Sequence, residues 1–196
     1  MSDVTSGGDG STRVAIACQG GGSHTAFTAG VLKGLFREWD EEYELVGISG
    51  TSGGAFNAVA AWYGLVADDE AEAIDLLDAL WDDIAVDGLS DRLLNNWVVG
   101  LSRIGNSGFA VPKVSPYQAP GSRLGQEQIR EVLERHIDFG SLPGLCGRET
   151  PELVVGTVDI NAGVFETFTN GGVTPEAVLA SAAVPNLFEA VEINGH

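Results

Sequence analysis

Apolar residues in this chain come in short β-branched runs that alternate with longer stretches of helical spacing. Arg13-Val-Ala-Ile-Ala-Cys18 is nearly continuous, the pattern of a strand covered on both faces. After a run of glycines, Ala26, Phe27, Val31, Leu32, Leu35 and Phe36 recur at helical spacing through Trp39. Residues 44–49 (Glu-Leu-Val-Gly-Ile-Ser) predict a second strand and residues 55–65 a second helix. Strand, glycine loop, helix, strand, glycine turn, helix is the order that predicts a parallel α/β sheet. Residues 71–84 then form an amphipathic acidic helix, with Ile74, Leu77, Leu80 and Trp81 along one side.

Between Asp87 and Arg123 the pattern dissolves into Gly, Asn, Ser and Pro mixed with Leu, Trp, Val and Phe. An irregular apolar stretch of that length reads either as a lid or substrate-binding cap, or as a partly helical insertion packed on the core. Residues 126–137 return to helical spacing, with Ile129, Val132 and Leu133 inward. Strands are expected over 152–158 and 164–169, joined as a hairpin through Asn161-Ala-Gly163. Thr174-Pro175-Glu176 opens a helix, with a threonine cap and a proline in the first turn, that runs to about Val184 before Pro185. Residues 190–193 read as a last strand. The expected organisation is a disordered tail over 1–12 and one domain over 13–196.

Composition narrows the function. The 196 residues carry 28 acidic and 10 basic side chains, a formal net charge of −18, and Lys33 and Lys113 are the lysines. Such a surface argues against nucleic-acid binding and is repelled by strongly anionic membranes. Its simplest role is a solvated acidic face, as suits a high-salt cytoplasm. Residues 1–12 lack the basic start and apolar stretch of a signal peptide, and the most apolar window, Ala58 to Ala67, is too short to span a bilayer. A cytoplasmic protein with at most peripheral membrane contact is expected. Cys18 sits in an apolar run and reads as a small buried residue; with Cys146 it makes no disulfide framework. The cysteines and the three histidines have no metal-ligand spacing, and the acidic residues follow helices rather than a ligand loop, so neither metal nor cofactor is expected.

The chemistry lies in two glycine-rich turns about thirty residues apart, each between a strand and a helix. Gly50-Thr51-Ser52-Gly53-Gly54 has the spacing of a nucleophile elbow. Ser52 then stands at a helix N-terminus, where the N–H of Gly53 favours a developing negative charge. Gly20, Gly21 and Gly22 offer unhindered N–H groups beside another helix start, suited to an oxyanion hole. A dinucleotide loop wants glycine where this chain has Thr25, and there is no Gly-Lys-Ser/Thr for a nucleotide P-loop.

Taken together, Gln19-Gly20-Gly21-Gly22-Ser-His-Thr-Ala-Phe-Thr-Ala-Gly30-Val31-Leu32 and Gly47-Ile-Ser-Gly50-Thr51-Ser52-Gly53-Gly54-Ala-Phe-Asn57-Ala resemble the patatin-like phospholipases. Val114-Ser-Pro-Tyr117 and Ala180-Ser181-Ala-Ala-Val-Pro185 resemble segments of bacterial and archaeal members. The resemblance implies a three-layer α/β/α fold with a central, mostly parallel sheet, and hydrolysis of lipid or fatty acyl esters, met in some settings at a membrane surface, by a Ser–Asp dyad. It makes Ser52 the nucleophile and lines the oxyanion hole with Gly20, Gly21 and Gly22; the elbow reading adds the Gly53 N–H to that hole and gives Gly50 and Gly54 supporting roles. Thr25 departs from the family, which usually has glycine there. The dyad aspartate belongs to an Asp-Gly pair just after the strand at 190–193, and the sequence reaches His196 before any such pair. The chain therefore reads as a C-terminally shortened domain whose base lies beyond its last residue.

Other groups compete to activate Ser52. His24 lies beside the glycine loop, where a helix-start role bonded to backbone is the alternative. Ser52, Asp159 and His196 follow the chain order of an α/β-hydrolase triad, although Asp159 also suits the opening of a hairpin turn. His136, near Asp138, reads as a cation at a helix C-terminus. A different class also stands open: a non-catalytic, degenerate patatin-like fold acting as a lipid-binding or interaction module.

Overall fold

The computed structural model describes residues 11–86, 115–118, 120–185 and 187–196. All but the last two residues of the expected tail, and residues 87–114 and 119 of the expected lid or insertion, lie outside them. The elements are β1 (Thr12–Cys18), α1 (Thr25–Arg37), β2 (Tyr43–Gly50), α2 (Gly53–Ala67), α3 (Glu70–Val86), α4 (Pro120–His136), the one-turn α5 (Leu142–Leu145), β3 (Glu152–Asp159), β4 (Val164–Thr169) and α6 (Pro175–Ala182). A mixed α/β architecture follows, with one sheet flanked by helices. The sheet runs β1-β2-β3-β4; β1, β2 and β3 are parallel, and β4 returns antiparallel to β3. The C-terminal ends of three parallel strands therefore share one edge, where open α/β sheets place their ligands.

Helix α2 is the centre of the core. Its residues from Gly53 through Trp62 are all buried, as a helix apolar all round requires. It packs against β2, β3, α3 and α1, and its buried residues share one core cluster with Ile48 of β2, Leu153 and Val155 of β3, Leu77 and Leu80 of α3, and Leu32 and Phe36 of α1. Trp62 is fully buried, and its indole N–H donates to Pro151 O at 2.6 Å. The expected start of α6 is present as read: the Thr174 hydroxyl accepts from the Ala177 N–H at 3.3 Å, with Pro175 in the first turn.

Two expectations need correction, and the apolar rows of α1 are told apart. β1 is an edge strand, and among the described residues its alternate positions Arg13, Ala15 and Ala17 are exposed, so it is covered on one face rather than two. In α1 the buried stripe is Thr25, Ala29, Leu32 and Phe36. Phe27, Val31 and Leu35 recur at the same four-residue spacing but on the exposed side, because an apolar stripe does not announce which of two parallel rows meets the core. Residues 190–193 form no strand. Their approach is held by side chains instead of a ladder: Tyr117 Oη accepts from the Ala190 N–H at 3.1 Å, and Gln126 donates to Glu189 O at 2.9 Å. Ile193 and His196 then close a turn on each other.

Ion pairs join the outer helices. Lys33 of α1 pairs with Asp78 of α3, and Arg130 of α4 with Glu176 of α6. Asp83 of α3 takes both Arg135 (2.6 Å) and His136 (2.8 Å) of α4, so His136 finds its carboxylate on a neighbouring helix rather than at Asp138. Hydrogen bonds from His136 and then Arg135 hold the Asp83 carboxyl below its ordinary range. Burial pushes Glu176 up, but hydrogen bonds from Arg130, from the Glu176 backbone N–H and from Thr174, with the charge of Arg130, together outweigh it and the net shift is downward. A carboxylate whose pKa is lower folded than unfolded adds stability that is complete above the unfolded value, about 4, and lost as pH falls through the folded one. Asp83→Asn should thus lower the melting temperature at pH 7, with the gap to wild type closing as both are acidified below about pH 4. A gap that stays constant down to pH 3 would remove Asp83 from the acid response.

Candidate active site

The loop after β2 carries Ser52 at φ 58°, ψ −132°, a region that costs a residue with a Cβ on the order of 1–3 kcal/mol. Backbone contacts impose it. Thr51 N–H still reaches across to Cys18 O on β1 at 3.4 Å, while Gly54 and Ala55 N–H already bond back to Thr51 O and Ser52 O at 3.0 and 2.8 Å. The chain passes from sheet to helix within two residues, and Ser52 is the hinge. Among the described residues the Ser52 hydroxyl has no hydrogen-bond partner.

The glycines around it are explained by what a side chain would strike. A Cβ on Gly54 would run into Cys18 O and lie 2.7 Å from Gln19 O; one on Gly50 would strike Gly54 O. These two let the start of α2 sit directly on the ends of β1 and β2. A Cβ on Gly20 would lie 2.8 Å from Thr51 O and 3.1 Å from Ser52 Cβ, and one on Gly53 would strike Thr25 Oγ1. The two glycine turns thus touch each other. The N–H groups of Gly20, Gly21, Gly22 and Gly53 have no acceptor among the described residues, which leaves donors free in both turns.

A buried polar chain fixes the glycine loop. Thr25 Oγ1 donates to Gly22 O at 2.6 Å. Asn57 Nδ2 donates to Thr25 O at 2.7 Å, and Trp81 Nε1 donates to Asn57 Oδ1 at 2.7 Å. Thr25, the departure from the family pattern, closes the loop and fills the space above Gly53. In sequence Thr25 stood out only as a departure from a motif and Asn57 only as part of one; a buried threonine and asparagine signal such a role only once their partners are visible. Cys18 is buried as expected, and burial pushes its thiol up to about 11.

The candidate bases fall out differently. His24 is exposed in a 3₁₀ turn (Gly22–His24), its N–H bonded to Gly21 O at 3.3 Å. Asp159 does open the hairpin turn: its Oδ1 accepts from the N–H groups of Asn161 and Ala162 at 2.8 and 3.1 Å. Those bonds, from Ala162 and then Asn161, hold its carboxyl below the usual range. Its other oxygen meets His196 Nδ1 at 3.3 Å, so the acid and histidine of the alternative triad are together. Neither is joined to Ser52. An open cleft of about 490 Å³ by Leu65, Val66 and residues 147–151 lies at the far end of α2, away from all of these groups.

Residues 16–196 match the family model described as patatin-like phospholipase. The chain belongs to that family. Among curated proteins no significant match is found. Among solved structures it is similar to ExoU in the heterodimeric ExoU–SpcU complex from the type III secretion system of Pseudomonas aeruginosa, at 15% identity and a TM-score of 0.40. That similarity covers 88% of this chain and 36% of that one, so the chain spans well under half of ExoU's length. Among the described residues of this patatin-like chain, no helix is long and apolar enough to cross a membrane.

Proposed function

We propose that residues 13–196 form a serine lipid acyl hydrolase domain with Ser52 as nucleophile. The observation that carries this reading is the strained elbow itself: a serine at φ 58° whose hydroxyl has no hydrogen-bond partner among the described residues, packed against a glycine loop whose N–H groups have no acceptor among them. In the reaction Ser52 Oγ bonds to the ester carbonyl carbon, and the N–H groups of Gly20, Gly21, Gly22 and Gly53 are the donors for the negative charge that moves onto the carbonyl oxygen. The carbon–alkoxide bond then breaks and the alcohol leaves with a proton; water repeats the sequence on the acyl-enzyme. The base is assigned, from the family resemblance, to an aspartate in an Asp-Gly pair on the C-terminal side of residues 190–193. An acyl chain is suited by the apolar surface beside the elbow, where the Phe165 ring lies next to Thr51 across Gly156 and faces Val158 in the β3–β4 register. Lipid or fatty acyl esters are accordingly the substrate class.

The Asp159–His196 contact supports a second reading, a triad in which His196 serves as base. One experiment addresses both. A fluorophosphonate is reacted with the full-length protein, the adduct is mapped by mass spectrometry, and phospholipid and p-nitrophenyl ester turnover are followed in wild type and His196→Ala. An adduct on Ser52 that removes turnover, with His196→Ala fully active, is the expected result. Loss of turnover in His196→Ala favours the triad. A folded protein in which Ser52 takes no adduct is not this hydrolase, and lipid binding without turnover would favour the non-catalytic module.

A further inference from the structure

Ser181, in the last turn of α6, touches the elbow. Its Oγ accepts from the Ser52 N–H at 2.8 Å and donates to Gly156 O of β3 at 2.7 Å. The directions are forced, because an amide N–H only donates and a carbonyl only accepts, so the single hydroxyl proton is spent on Gly156. The position has a further logic. The β2–β3 ladder ends with Gly50 opposite Val155. Continued for two residues it would set Ser52 opposite Thr157, with its N–H aimed at Gly156 O, as a parallel ladder requires. The elbow lifts Ser52 out of that ladder, and the Ser181 hydroxyl fills the gap as a one-atom bridge.

We infer that Ser181 is a positioning residue for the nucleophile; the inference rests on the reading of Ser52 given above. It acts at two points. By tying the Ser52 amide to β3 it helps hold the positive φ that raises the Ser52 side chain, a conformation that persists only when its surroundings over-determine it. By occupying that N–H it also keeps the nucleophile's own amide turned toward β3, so the oxyanion is left to Gly53 and the glycine loop. Helix α6 can transmit this because its start is fixed by the Thr174 cap and its Ala177, Val178 and Leu179 are buried.

The test compares wild type, Ser181→Ala and Ser181→Thr in the full-length protein. Amide exchange of Ser52 by NMR reads the hydrogen bond, and fluorophosphonate labelling reads the nucleophile. In Ser181→Ala the Ser52 amide should exchange at least about tenfold faster, and the labelling rate constant and kcat should fall about 10- to 100-fold with KM unchanged. Labelling should still reach completion, because every molecule keeps a folded site, and Ser181→Thr, which retains the hydroxyl, should restore most of the rate. Unchanged exchange and labelling in Ser181→Ala overturn the inference, as does faster exchange with undiminished labelling. A fall in labelling stoichiometry tracking a lower melting temperature, with no rescue by threonine, reduces Ser181 to packing. Wild type that never labels at Ser52 removes the nucleophile reading itself, a failure visible before any Ser181 variant is made.

Discussion

Ser52→Ala is expected to bring ester turnover down by about 10³-fold or more in kcat/KM, and to do so without loss of stability. The two halves of that result come from one geometry. Ser52 is only partly buried, and its hydroxyl bonds to no described residue, so removing it deletes the nucleophile and nothing that holds the fold. Alanine keeps a Cβ at φ 58° and therefore keeps the strain. Glycine does not, and Ser52→Gly should be as inactive as alanine yet more stable by about 1 kcal/mol. A p-nitrophenyl ester assay and a thermal melt of the three proteins check both points. Turnover surviving in Ser52→Ala would remove the nucleophile assignment. A Ser52→Gly protein that melts below wild type would mean that the elbow is not strained in the folded chain. A residue whose removal stabilises the protein is held in place for chemistry rather than for structure.

What sequence could and could not foretell divides along a physical line. The strand–turn–helix order, the hairpin through Asn161–Gly163 and the Thr174 cap were all legible, because each depends on residues close in the chain. Ser52 and its glycines were legible for the same reason: an elbow is a five-residue device. Arrangements that close over long separations were not. The Ser181 bridge spans 129 residues and the Asn57–Thr25 bond 32, and no local pattern marks a serine or asparagine as the partner of a distant backbone group. The same limit left the two apolar rows of α1 undivided, since Phe27, Val31 and Leu35 on the exposed side keep the spacing of the buried row. It also gave residues 190–193 a strand on composition alone, whereas a strand needs a neighbour with free ladder groups. Thr25 shows a subtler case. It was legible only as a departure from a motif, while in the fold its hydroxyl ties the loop shut at Gly22 O.

Gly54→Ala and Gly34→Ala should move stability in opposite directions, although both add one methyl to a helical glycine. Gly34 lies exposed in α1, with nothing within 4 Å of a built Cβ; alanine there gains helix propensity, about 0.5–1 kcal/mol of stabilisation. Gly54 is buried in the first turn of α2, and its Cβ would run into Cys18 O and lie 2.7 Å from Gln19 O. Those are backbone atoms at the end of β1, so no side chain can rotate away and relief requires α2 to move off the sheet. Overpacking of this kind costs typically 1–3 kcal/mol, and the absence of any flexible neighbour puts Gly54→Ala at the upper end, about 3 kcal/mol. The movement would also draw Gly53 away from Gly22 and tilt Ser52 off the glycine loop, so activity should fall further than the loss of folded protein explains. Urea titrations give the two stabilities, and fluorophosphonate labelling per folded molecule gives the second effect. If Gly54→Ala labels at the wild-type rate once corrected for folded fraction, contact between the two turns is not what arms Ser52, and the close fit of helix on sheet serves stability alone.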